Sequence, residues 1–118
     1  MVSTQMIQLL ERFLDVTTDR QKLVTTNMAN IDTPGYRTED INFRAELDRA
    51  AGGDEGPALG TIAHRVPGLL QRPDGNDVSL DRESMLLAET QMQFRIGIQF
   101  LRTEFHRLLH AINEGKDS

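Results

Sequence analysis

The chain has 118 residues, with 13 Lys+Arg against 18 Asp+Glu and a formal net charge of −5. That length suits one domain, and the mild acidity argues against nucleic-acid binding, which needs a basic patch. Cysteine is absent, which excludes disulfides, thiolate metal sites and a cysteine nucleophile. Leu, Ile, Val and Phe number 31, above the level of disordered chains. The absence of Trp and the single Tyr argue against a thick aromatic core.

The N-terminal segment reads as an amphipathic helix over 1–31. Ile7, Leu10, Leu14, Thr17, Gln21, Val24, Met28 and Ile31 follow one helical stripe, with Thr17 and Gln21 interrupting it. Met6, Leu9 and Phe13 widen the stripe, and Ser3 or Thr4 can cap its start. The helix is expected to end near Asn30, because Thr33-Pro34-Gly35-Tyr36 follows. Proline suits the second position of a turn, and glycine suits a third position with positive φ.

Residues 32–78 read as a turn motif followed by an irregular middle. Residues 51–75 carry 6 Gly and 3 Pro, a density that breaks helices and strands. A loop of this length inside a compact domain is uncommon.

The C-terminal segment reads as a second long helix over 79–114. Steps of four and three from Leu80 pass through Ser84, Leu87, Gln91, Phe94, Ile98, Leu101, Phe105, Leu108 and Ile112, which is a coiled-coil seam. Ser79 can cap it, Asp81 and Glu83 favour its first turn, and Gly115 marks the expected stop. The expected fold is therefore all-α: two long helices paired as an antiparallel coiled-coil-like hairpin. Leu86, Met92, Ile96 and Leu109 lie outside the strict seam. Leaving such side chains in water costs about 25 cal/mol per Å², so the hairpin should associate with copies of itself or with partner helices.

Signals of chemistry are poor. His106 and His110 stand four apart on a helix, but no third ligand or zinc-protease glutamate accompanies them. The adjacent pairs Glu39/Asp40 and Asp54/Glu55 do not face one another on a helix. No phosphate-binding glycine loop is present. No catalytic, metal or cofactor site is expected. A carboxylate enzyme acting on cell-wall polymer would need a cleft that nothing in the sequence indicates. No segment is long and apolar enough to span a bilayer, and the N-terminus lacks the basic and apolar regions of a cleaved signal.

One stretch exceeds what helix termination requires: Asn27-Met28-Ala29-Asn30-Ile31-Asp32-Thr33-Pro34-Gly35-Tyr36-Arg37. Asn27, Ala29 and Tyr36 are not needed by a Pro-Gly turn. The stretch resembles the N-terminal signature of the flagellar rod and hook family. The following TEDINFRAEL and the later RPDGNDVSLDRESMLLAETQMQFRIGIQFLRTEFHRLLHAI look like the proximal-rod members of that family. Met28 replaces a more usual Ile or Val, Gly97 sits inside the C-terminal helix, and the Tyr-x-Ala-Asn pattern of other members is missing.

The resemblance implies a structural subunit of the proximal rod that polymerises helically around the export channel. It implies location in the periplasmic rod of the basal body, and export without a cleaved signal. It also implies partners: copies of itself, other rod proteins, the small base adaptor FliE, and the export apparatus during secretion. Leu10, Leu14, Val24 and Met28 would form the seam of the first helix. Leu87, Phe94, Ile98, Leu101, Phe105 and Leu108 would form that of the second. Asn27, Asn30, Pro34, Gly35 and Tyr36 would set the helix exit and touch a neighbour or the paired helix. The middle segment would order mainly through contacts between subunits. A non-polymerising helical adaptor is the competing expectation.

Overall fold

A computed structural model describes residues 2–52 and 61–117. The element order is α1 (Val2–Ala29), β1 (Glu39–Ile41), α2 (Phe43–Ala51), β2 (Ala63–Arg65) and α3 (Leu80–Asp117). α1 and α3 pack along each other as an antiparallel hairpin, and the molecule measures 71 × 27 × 18 Å. At 1.5 Å per residue, α3 alone spans roughly 57 Å.

The register of the hairpin is set at two levels. Asn27 of α1 meets Glu83 of α3 near one end. Gly97 of α3 lies against Phe13 and Leu14 of α1 further along. A Cβ at position 97 would sit 2.7 Å from Leu14 Cδ2 and 2.9 Å from Phe13 Cδ1. Glycine therefore lets the two helices approach closely, against a helix-propensity cost of about 1 kcal/mol relative to Ala. With this register Val2 lies near the level of Leu108, and the last residues of α3 extend past the start of α1.

Thr17, expected to interrupt the α1 stripe, is buried in it. Its hydroxyl donates to Phe13 O at 2.7 Å, and Thr18 likewise donates to Leu14 O at 2.9 Å. Bonding to the preceding turn lets a threonine enter a core without leaving a polar atom unpaired. Val16, Val24, Ile41, Val78 and Leu86 complete the fully buried apolar set.

The line of α3 that faces α1 differs from the expected seam by about one residue. Glu83, Leu86, Thr90 and Gly97 are the buried positions. Leu87, Ile98, Leu101 and Leu108 are half-buried at its edge, whereas Phe94 and Phe105 are exposed, as are Leu80 and Ile112. The rotation has a physical cause. Glu83 is held inward by hydrogen bonds, Thr90 bonds Leu87 O, and Gly97 offers no bulk. An apolar-only periodicity misses a contact line built from a carboxylate, a threonine and a glycine.

Ser79 does cap α3, its Oγ accepting from the Arg82 amide at 3.2 Å. The helix then runs through Gly115 to Asp117 rather than stopping. Gly115 does not adopt the positive φ of a helix-ending glycine.

The middle is more regular than its composition suggests. Asn42 caps α2, its side chain accepting from the Ala45 amide. β1 and β2 pair antiparallel, with Glu39 opposite Arg65, Asp40 opposite His64 and Ile41 opposite Ala63. Phe43 of α2 meets Phe13 edge-on, with ring centroids 5.3 Å apart. Glu46 is buried and takes Arg12 at 3.1 Å and the Ile62 amide at 3.1 Å. Described residues of the middle are thus tied within the chain itself. Residues 53–60 of the Gly/Pro-rich stretch lie outside the described residues.

Candidate functional site

The stretch that exceeded the needs of helix termination forms a polar clamp at the closed end of the hairpin. Thr33–Tyr36 makes a turn closed by the Tyr36 amide on Thr33 O at 3.2 Å, with Gly35 at φ +76°. The chain then runs back along α1. Asn27 is fully buried and uses both ends of its amide. Its Nδ2 donates to Glu39 O at 2.8 Å and to Glu83 Oε2 at 3.3 Å. Its Oδ1 accepts from Tyr36 OH at 2.8 Å and from the Glu39 amide at 3.2 Å. Asn27 thus joins α1, the turn, β1 and α3.

Asn30 works at the surface of the same clamp. Its Nδ2 donates to Thr26 O and its Oδ1 accepts from Thr33 Oγ1. Pro34 and Gly35 are exposed at the tip. Ala29 is also exposed, and the clamp gives no reason for alanine there. Met28 is half-buried.

A second loop, Arg72–Asp77, docks on the first. Asn76 is fully buried, and its Nδ2 lies 2.9, 3.0 and 2.9 Å from the carbonyl oxygens of Asn30, Ile31 and Thr33. These carbonyls stand at the end of α1, where helical partners run out. Arg72 also donates to Ile31 O. The Gly35 amide donates to Asp74 O at 2.8 Å. Gly75, at φ +86°, faces Gly35 so closely that a Cβ would stand 3.3 Å from its Cα. Asp77 accepts from the Thr38 amide at 2.6 Å and from Arg37 Nε at 3.1 Å. The RPDGND run ends the Gly/Pro-rich stretch and opens the second segment that carries the family resemblance. Its signal was available: Asp-Gly marks a tight turn, and the polar residues around it are ones that cap backbone groups.

A buried ionic cluster backs the clamp. Arg20 grips Asp40 with two bonds of 3.0 and 3.1 Å, and Arg82 reaches the same carboxylate at 2.8 Å. Arg82 also holds Glu83 Oε1 at 2.8 Å. Two cations therefore balance two carboxylates, which satisfies the requirement that buried charges be paired. Burial pushes the Asp40 carboxyl up, but hydrogen bonds from Arg20, the Ile41 amide and Arg82 outweigh it and hold the group below its ordinary value. Asp77 behaves alike: burial raises it, and the Thr38 and Arg37 contacts bring it below the ordinary value. Burial raises the Tyr36 phenol, and nearby Glu39, Glu83 and Asp77 raise it further.

The other surface of note is α3 itself. Phe94, Phe105, Leu109 and Ile112 are exposed along one flank of the line facing α1. Met85, Met92, Ile96 and Phe100 are exposed along the other, with Met92 at 62% and Phe100 at 58%. His106 and His110 are exposed. No helix among the described residues is long and apolar enough to cross a membrane.

The fold defines the class: a clamped helical hairpin whose longer helix carries exposed apolar side chains on both flanks. Comparison with known proteins carries that class to a family. No family model matches the chain. The chain is 31% identical over 122 residues to the flagellar basal body rod protein FlgB of Salmonella typhimurium, covering 86% of this chain and 88% of that protein. It is 34% identical over 106 residues to the FlgB of Cereibacter sphaeroides, covering 79% and 82%. It is 26% identical over 125 residues to that of Escherichia coli K12, covering 86% and 88%. The chain belongs to the FlgB family of flagellar basal body rod proteins, and is thus a structural component of the bacterial flagellum.

Proposed function

We propose that this chain is a subunit of the proximal rod that polymerises helically around the export channel and links the base to the rest of the rod. The observation that supports the reading best is the pair of apolar flanks on α3. One hairpin can cover only one side of a helix, so the flanks need other helices. Contacts that repeat without closing on themselves would build a tube. Its partners would be copies of itself, other rod proteins and the base adaptor FliE, with the export apparatus engaged during secretion. Its place would be the periplasmic rod, reached without a cleaved signal peptide.

In this reading the half-buried and exposed positions Leu87, Phe94, Ile98, Leu101, Phe105 and Leu108 gain neighbours on assembly. Leu10, Leu14, Val24 and Met28 hold the α1 side. The clamp built on Asn27, Asn30, Pro34, Gly35 and Tyr36 fixes the angle at which the chain leaves the hairpin.

The test is mass spectrometry of purified hook–basal bodies from the source bacterium. The chain is expected at a few copies per particle. Its absence while other rod proteins are present would overturn the rod reading and put a non-polymerising helical adaptor first.

A further inference from the structure

The back of each helix, the side turned away from its partner, carries charged residues among others, and at one height the charges of the two backs are complementary. On α1, Glu11, Asp15 and Lys22 fall on one helical stripe, and all three are exposed. On α3, Asp81, Arg95 and Arg102 lie on one exposed stripe at heptad positions whose other member is Ala88, with Met85, Met92 and Gln99 between them. The side chains of Glu11, Asp15, Arg95 and Arg102 make no hydrogen bond or ion pair among the described residues. Elsewhere in this molecule carboxylates and guanidiniums are extensively paired, as at Asp40, Glu46, Asp77 and Glu83. Lys22 and Asp81 on the same backs, and Asp32, Arg44, Asp48, Arg65 and Glu89 elsewhere, likewise have no side-chain partner among the described residues, so the four are singled out by their sign and height rather than by lacking partners.

Their heights coincide. Gly97 lies against Phe13 and Leu14, so the stretch Glu11–Asp15 stands level with the stretch Arg95–Arg102 on the opposite side of the hairpin. Toward the clamp the sign reverses on both backs, to Lys22 on α1 and Asp81 on α3. A copy shifted sideways, in the same orientation and without axial slip, would bring its acidic α1 back onto the basic α3 back. Such a contact uses two different surfaces and so continues from copy to copy. Met92, three residues before Arg95 on the same face and 62% exposed, would supply apolar area. Charge of this kind sets partner choice and register more than affinity.

We infer that the α3 back at Arg95 and Arg102 receives the α1 back, at Glu11 and Asp15, of a second copy of this chain. The inference rests on the rod reading and names one contact within it.

Charge exchange tests it with the full chain. E11K/D15K and R95E/R102E each place like charges together and should lower incorporation into purified hook–basal bodies about tenfold. The fourfold variant carrying both changes restores opposite charges and should regain most of the loss. All four sites are exposed, so circular dichroism should match the parent. A second measurement uses the absence of cysteine. Gln8→Cys with Gln99→Cys places thiols on the two backs at nearly the same height, on opposite sides of one chain. A short bismaleimide should then give a ladder of oligomers in isolated basal bodies, and neither single variant should. Unchanged incorporation of the double variants, no recovery in the fourfold variant, or no ladder would each overturn the contact. Double variants that lose incorporation without recovery point to a different rod subunit on this face. The rod reading itself fails only if the parent chain is absent from the particles.

Discussion

The two ends of the hairpin are held by opposite kinds of chemistry. At the closed end, Asn27, Asn76, Asp77 and Glu83 are buried polar groups with named partners. At the open end, the apolar residues of α3 beyond Gly97 that meet α1 (Ile98, Leu101 and Leu108) are half-buried, and Phe100, Phe105, Leu109 and Ile112 remain in water. Hydrogen-bonded networks fix one geometry because each lost partner leaves a buried polar group unsatisfied. Apolar contact is non-directional and accepts other partners. The molecule therefore has one end specified internally and one end open to neighbours.

The largest break in that contrast should come from Asp40→Ala. It leaves Arg20 and Arg82 without their shared carboxylate, and losing one partner of a buried pair costs about 3–5 kcal/mol. Thermal unfolding should show the whole hairpin destabilised, since the cluster joins α1, β1 and α3. Leu101→Asp acts at the other end, where placing a charge at a half-buried apolar site should cost about 2 kcal/mol. Its effect should be local. Amide exchange should quicken along residues 95–112, while the Thr38 amide bonded to Asp77 stays protected. Equal loss of protection at both ends would mean that the hairpin melts as one unit. The same variant should fail to enter the rod.

Gly35→Val should cost about 1–2 kcal/mol, the penalty of a left-handed conformation for a residue with a Cβ. Nothing lies within 4 Å of that Cβ, so the loss is conformational rather than steric. A Tm equal to that of the parent chain would show that the turn can change type. Gly97→Ala should destabilise by about 1 kcal/mol, because crowding of Leu14 and of the Phe13 ring, held edge-on by Phe43, outweighs the gain in helix propensity.

The pH dependence should be the smallest effect near neutrality. Asp40 and Asp77 are lowered in the fold, so the unfolded chain binds protons first as pH falls. Their contribution is intact above the ordinary value of 3.8 and is lost as pH drops through the folded values below it. Tyr36 is raised, so the fold should also weaken above pH 10.0. An acid titration of circular dichroism with the clamp failing well above pH 4 would contradict the Asp40 and Asp77 assignments.

Periodicity read both long helices to within a few residues, because burial of an apolar face leaves a repeat that needs no knowledge of the partner. Composition read the Pro-Gly turn, because only a few residue types suit its dihedral angles. On the α1 stripe Val24 is buried, and Leu10, Leu14 and Met28 are half-buried. α2 and the β1–β2 pair were not, since elements of nine and three residues fall below what a repeat can show.

The amino-acid sequence by itself thus determined the two helices, their antiparallel pairing, the turn at Gly35 and, through the Asn27–Tyr36 stretch, the family. Tertiary structure alone decided which line of α3 meets α1, because that line is Glu83, Thr90 and Gly97 as much as leucine. It also decided that Asn27 serves Glu39, Tyr36 and Glu83 together, and that Asn76 closes the end of α1 from 46 residues beyond Asn30. Apolar side chains announce their burial by spacing along the chain, whereas buried polar side chains are defined by partners that are distant in sequence.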